Sequence, residues 1–224
     1  MTAASCTLLW SCAAGNAPLS DALSALTAQV FASGDASVQS ARLDSNYRYL
    51  RVDVDGHPSA LLVLGYVDPH PQGDIEVWYS GTGEVIRIQN GRIVATSGLS
   101  LDWRAVRFPS TPPAWTAVPP QGVFYQRSRD EMPEHRYAIT DSVLTTPAPL
   151  GPTFSTAGTL ALAQSPTVRW FRDDILNSSA APLPPAWFAW DTYRGQPTVV
   201  YSRQCLSATF CLQLLRWPLQ EGAL

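Results

Sequence analysis

The stretch Val85-Ile86-Arg87-Ile88-Gln89-Asn90-Gly91-Arg92-Ile93-Val94-Ala95-Thr96 reads as a β-hairpin. Two β-branched runs flank Asn90-Gly91, and Asn-Gly favours the type I′ turn because both of its central residues need positive φ. Moving toward the N-terminus, Ile75–Ser80 runs into a Gly81-Thr82-Gly83 turn. Before that, Leu50, Val52 and Val54 alternate with Tyr49, Arg51 and Asp53, and Asp55-Gly56 turns the chain into Ala60–Val67. Residues 46–97 are therefore expected to form a meander of four or five antiparallel strands.

Moving the other way, further strands are expected at Val123–Arg127, Arg136–Leu144, Val168–Asp173, Trp187–Asp191, Thr198–Cys205 and Phe210–Trp217. Prolines at 109, 112, 113, 119 and 120, and the stretches Pro147–Pro152 and Pro182–Pro185, read as loops or edge crossings, since proline has no ladder donor. Near the N-terminus Leu19, Leu23, Leu26 and Val30 form one apolar helical stripe, ended by Gly34. The fold class expected is mostly β: an antiparallel barrel or strongly curved sandwich of about ten strands with one short N-terminal helix. No proline stretch separates compositionally different halves, so residues 19–224 read as a single domain behind a segment 1–18.

The composition narrows the function. All 15 basic residues are Arg, the formal net charge is −3, and charged residues are 15% of the 224. Nucleic-acid binding relies on clustered cations that neutralise phosphates. These arginines are scattered, and no nucleic-acid partner is expected. No run reaches the roughly 20 apolar residues that span a bilayer as a helix. Residues 1–18 read instead as the tail of a secretory signal, a lipobox and a tether. Leu9-Trp10-Ser11-Cys12 has Leu at −3 and a small residue before the cysteine, which makes Cys12 the expected lipidation site. Ala3-Ala4-Ser5-Cys6 is a rival box, less suited because Leu8-Leu9-Trp10 would follow the lipid where a polar tether belongs.

Catalytic constellations are hard to assemble from these residues. There is no G-x-S-x-G elbow, and His57, His70 and His135 sit beside turns, prolines or acids, where surface roles are usual. No Cys and His spacing fits zinc, and Asp68, His70 and Asp74 read as a turn. No phosphate loop or dinucleotide fingerprint occurs, so no cofactor is expected. Asp53 with Asp55, or Asp173 with Asp174, are the acids a glycosidase reading would use. Adjacent strand residues point to opposite faces, which separates Asp173 from Asp174. The same parity separates Trp187 from Trp190, so the densest aromatic cluster makes no single sugar-stacking platform. Cys205 and Cys211 bracket Leu206–Phe210, where facing positions at a hairpin end suit a disulfide in an exported chain.

Trp78-Tyr79-Ser80 followed by Ile88-Gln89-Asn90-Gly91-Arg92-Ile93-Val94-Ala95-Thr96-Ser97-Gly98-Leu99 resembles the signature of the YjbF/GfcB lipoproteins. Trp190-Asp191, Gly195 and Ser202-Arg203-Gln204 fall where that family has a W-x-D, a glycine and an S-x-Q element. The Cys205/Cys211 pair departs from the family pattern. The resemblance implies a barrel-like lipoprotein anchored on the periplasmic face of the outer membrane. It further implies service in group 4 capsule or exopolysaccharide secretion, with other export components as partners and the polysaccharide itself as the alternative one. It carries no catalytic residue. The expectation is a non-catalytic scaffold, with a glycan-binding module and then a carbohydrate-active enzyme as alternatives. Trp78, Asn90, Gly91, Thr96, Gly98 and Gln204 are expected to be structural, while Arg92 and Trp103 are the candidate contacts to partner or glycan, Trp103 being expected first of all to pack in the core.

Overall fold

A computed structural model describes residues 35–149, 151 and 157–219. Twelve antiparallel strands make one sheet: β1 Tyr49–Val54, β2 Ala60–Asp68, β3 Ile75–Tyr79, β4 Val85–Gln89, β5 Arg92–Ser97, β6 Asp102–Arg107, β7 Val123–Met132, β8 Arg136–Ala148, β9 Arg169–Ser178, β10 Ala186–Tyr193, β11 Gln196–Cys205 and β12 Cys211–Trp217. The order across the sheet is β5-β4-β3-β2-β1-β12-β11-β10-β9-β8-β7-β6. Every neighbour but one is also a neighbour in sequence. The exception, β1 against β12, joins the two halves through Tyr49↔Trp217 to Val54↔Leu212. The sheet curls into a nearly closed barrel.

The edges β5 and β6 meet without a ladder between them. Side chains join them instead. Thr96 Oγ1 donates to Asp102 (2.8 Å) and accepts from the Trp103 amide (3.0 Å), while the Gly98 amide donates to the other oxygen of Asp102 (3.0 Å). An unpaired edge is a template for unwanted strand addition, and this seam leaves neither edge free.

The meander appears where the hairpin signals placed it. Asn90 (φ 49°) and Gly91 (φ 83°) both occupy the left-handed region, as a type I′ turn requires. At Asp55-Gly56 only Gly56 has positive φ (78°), and the Val54 carbonyl accepts from His57 at 3.0 Å, so that turn is of a different type. Strand β6 was not expected. Its ladder slips between Trp103 and Ala105, and this bulge breaks the period of two that reveals a strand. Strand β8 runs through Pro147, which pairs with Phe171 of β9 beyond Thr145, the last residue paired with β7. Proline is tolerated there because only one side still carries a ladder.

Two short helices, α1 Asp35–Ser40 and α2 Ala157–Gln164, are described. The stripe Leu19–Val30 and both lipobox cysteines lie outside the described residues. Val38 of α1 and Leu162 of α2 pack with Tyr49, Leu61, Val63, Trp170, Tyr201, Leu215 and Trp217. The opposite face of the same strands supplies Leu50, Val52, Leu62, Leu212 and Leu214 to a second cluster with Trp78, Ile86, Ile93 and Trp103. Both faces of β1 and β12 are thus buried. Even Arg51, which alternation placed on a polar face, is 2% exposed. It lies against the Trp217 ring and donates to Asp53 (3.0 Å) and Ser59 (3.2 Å).

Candidate functional site

The polar centre of the molecule is built around β5, which is buried on both faces. Ile93 joins the cluster of Leu50, Trp78 and Trp103, while Val94 packs with Phe108, Tyr125 and Val143 toward β7 and β8. Arg92 enters the same β7–β9 wall. Its Nε donates to Asp173 Oδ2 (3.0 Å), and Thr145 Oγ1 and Tyr125 Oη donate to the two oxygens of that carboxylate (2.5 and 2.7 Å). The guanidinium carbon lies 4.1 Å from the Trp115 ring centroid and 5.0 Å from that of Tyr125. Nη1 has no hydrogen-bond partner among the described residues. Burial, the negative Asp173 and the hydrogen bond to it together push the Tyr125 hydroxyl well above its ordinary range, against the opposing pull of Arg92.

Arg92 was expected to face outward and touch a partner. It is 2% exposed. Trp103 is 1% exposed, donates Nε1 to the Leu206 carbonyl (3.2 Å), and carries Arg127 and Arg129 over its ring at 4.8 and 5.2 Å. Neither residue is reachable from outside the folded barrel. The reason is the curl of the sheet, which turns the β5 edge inward and lays β6 across the same interior.

A second buried ion cluster sits beside the first. Arg127 Nε and Arg129 Nε both donate to Asp141 Oδ2 at 2.9 Å, and Ser178 donates to its other oxygen at 2.6 Å. Burial alone would raise the Asp141 carboxyl, but the two arginines and these hydrogen bonds hold it below the usual carboxylate range. Arg129 also pairs with Glu131, which Arg136 reaches from the rim. A third pair joins Arg216 of β12 to Glu76 of β3 (2.6 Å), with the guanidinium over Trp78. These clusters were not anticipated, because a charged residue alternating with apolar ones reads as solvent-facing.

The remaining signature residues converge on the same strand. Gln204 of β11 accepts from the Ile93 amide (2.9 Å) and donates to the Gly91 carbonyl (2.9 Å). The Asn90 carbonyl accepts from Trp115 Nε1 (3.0 Å). Gly91 also lies hard against Val199, where a Cβ would stand 2.4 Å from the valine's Cγ2. Trp78 is fully buried, and Thr96 and Gly98 form the seam already described. The signature is a set of contacts that hold β5 inside the barrel.

The sequence profile of the family described as "Group 4 capsule polysaccharide lipoprotein gfcB, YjbF" matches residues 23–151, more than half of the chain. The chain belongs to this family. Its members are capsule polysaccharide lipoproteins by that description, which implies a lipid-anchored location at a membrane. The crystal structure of the hypothetical lipoprotein YmcC from Escherichia coli (K12) has the same fold. It superposes with a TM-score of 0.59 at 18% identity, covering 80% of this chain and 86% of its own. No curated protein matches the chain.

The acids and aromatics weighed for chemistry are dispersed. Asp173 faces Arg92, while Asp174 pairs with Arg172 (2.5 Å) on the other side of β9. Asp53 is tied to Arg51, and Asp55 is exposed in its turn. Trp187 lies by Arg172 and Trp190 by Arg169. Every Trp among the described residues is buried or half-buried. No group of three or more metal-ligating side chains occurs among the described residues. Cys205 and Cys211 form a disulfide, facing one another at the β11–β12 end.

Proposed function

We propose that this protein is a non-catalytic scaffold, held by a lipid at Cys12 on the periplasmic face of the outer membrane, that docks other components of a capsule or exopolysaccharide export apparatus. The observation that carries this reading is the commitment of the buried acids. Asp130, Glu131, Asp141 and Asp173 each face an arginine. A general acid or base needs a carboxyl poised to exchange a proton near the operating pH, and acids locked to permanent cations are unsuited to that task. The absence of an exposed Trp among the described residues favours the scaffold over a glycan-stacking module.

The test combines genetics with two amide substitutions. Cells lacking the protein are expected to keep making polymer and to lose it from the surface. Asp55→Asn and Asp174→Asn are expected to leave secretion intact. Loss of secretion in either variant, with normal folding and localisation, would overturn the scaffold in favour of a carbohydrate-active protein. In cells that export the protein, Cys12→Ser is expected to release it into the soluble periplasm, whereas release only on Cys6→Ser would move the anchor.

A further inference from the structure

At the end of the barrel that carries the disulfide, four loops stand apart around a half-open cavity of about 450 Å³. They are the turns β1–β2, β3–β4, β5–β6 and β11–β12. Val52, Val54, Leu62, Ile86, Leu99 and Phe210 contribute walls. Val52, Leu62 and Ile86 belong at the same time to the core cluster containing Trp78 and Trp103, so the wall continues directly into the barrel interior. Apolar surface of this extent is normally filled by side chains in a folded core. Here it is left open, and its volume lies within the range of small-ligand pockets.

The polar groups at the rim narrow what the cavity accepts, since most are bonded to one another. Ser59 Oγ donates to Asp53 (2.5 Å). Ser80 and Thr82 both donate to Glu84, and Ser80 Oγ accepts from the amides of Thr82, Gly83 and Glu84. No arginine lines the cavity, and its one basic ring, His57, is exposed. An anionic headgroup would therefore meet the Glu84 carboxylate and no fixed cation. A saccharide would find one aromatic face, Phe210, and few free donors. An uncharged hydrocarbon chain meets a continuous apolar wall.

We propose that this cavity binds the hydrocarbon chain of a lipid, with the chain inserted between Val54, Leu99 and Phe210 and its headgroup left at the rim. Membership of a lipoprotein family places the barrel beside a bilayer, where such chains are the abundant apolar ligand. A single inserted protein side chain would leave much of the space unfilled. The assignment does not rest on the scaffold reading, since it follows from the cavity's shape and lining.

The test is a fluorescence titration of the full chain with the neutral apolar dye N-phenyl-1-naphthylamine. Saturable binding at one site is expected, with displacement by oleyl alcohol or by farnesol showing whether straight or isoprenoid chains are preferred. Val54→Trp, which fills the space from a half-buried wall position, is expected to weaken binding at least tenfold with an unchanged melting curve. Leu99→Trp provides the same blockade from the β5–β6 loop should the first variant unfold. Phe124→Ser, at a residue 67% exposed on the outer wall, is expected to change nothing. Absence of saturable binding overturns the proposal. So does binding that survives both filled variants, or that is lost equally in Phe124→Ser. A photo-crosslinker at position 99 that captures an envelope protein, in a protein that binds no dye, assigns the cavity to a partner and also overturns it. None of these readouts depends on polysaccharide secretion, so the two proposals fail separately.

Discussion

Gln204 and Gly91 are 113 residues apart in the chain, yet Gln204 Nε2 donates to the Gly91 carbonyl at 2.9 Å. The other end of the same amide accepts from the Ile93 amide. One side chain thus satisfies two backbone groups, one in the Asn90-Gly91 turn and one at the start of β5. Gln204→Leu should leave a buried N–H and a buried carbonyl unpaired, lowering stability by about 2–4 kcal/mol. Urea unfolding will measure this as a lower midpoint at unchanged slope.

Gly91 and Gly56 both adopt positive φ, but only Gly91 is crowded, since nothing lies within 4 Å of a Cβ placed at Gly56. Gly56→Ala should cost about 1–2 kcal/mol through backbone strain alone. Gly91→Ala adds a collision with Val199 and should cost about 2–5 kcal/mol. Equal losses in thermal melts of the two variants would show that Gly91 is retained for its backbone angle and not for the close approach.

The Arg92–Asp173 pair lends itself to a double-mutant cycle. Arg92→Met leaves a carboxylate buried without its cation and should destabilise by about 3–5 kcal/mol, as should Asp173→Leu for the reciprocal reason. The double variant removes both charges. It should recover a large part of the loss, giving a coupling energy well above the roughly 0.5 kcal/mol within which independent sites add. Simple additivity would mean that Arg92 is held by the rings of Trp115 and Tyr125 and not by Asp173.

Stability should fall in acid, and Asp141 supplies the sign. Its folded carboxyl titrates below the ordinary value, so near and below about pH 4, the unfolded aspartate value, the unfolded chain binds more protons than the folded one. The contribution is present above that pH and is lost as the pH falls through the folded pKa. Asp130, held low by the Ala138 amide and by Arg107, acts in the same direction. Unfolding free energies measured from pH 7 to pH 3 should decline, and Asp141→Asn, though less stable throughout, should decline less steeply.

Much of the strand pattern was legible because it is local. The Asn90-Gly91 hairpin, the five-strand meander and six later strands follow from alternation and turn chemistry acting within a few residues. The family signature was legible as a structural motif too, though not the contacts its residues make. Strand β6 escaped because a bulge at Trp103 disrupts the alternation, and α2 escaped because its short alanine-rich run carries no clear stripe.

What the sequence by itself determined was therefore where the chain extends and turns, and the β character of the whole. The tertiary structure decided which of the alternating faces meet water. Period-two alternation separates the two sides of a strand, but it is blind to whether the polar side is later covered by another wall. Arg51, Arg92, Arg129 and Asp141 look solvent-facing in sequence and are buried in the barrel. Their counter-charges lie on other strands or, for Arg51 and for the second partner of Arg129, two residues along their own. Arg92 became an interior residue for the same physical reason, and Trp103 took the core position that packing favoured. Closing a twelve-stranded sheet brings its two edges together across short local contacts such as Thr96 to Asp102, and it lays β5 against walls whose polar partners, Asp173 and Gln204, are distant in sequence.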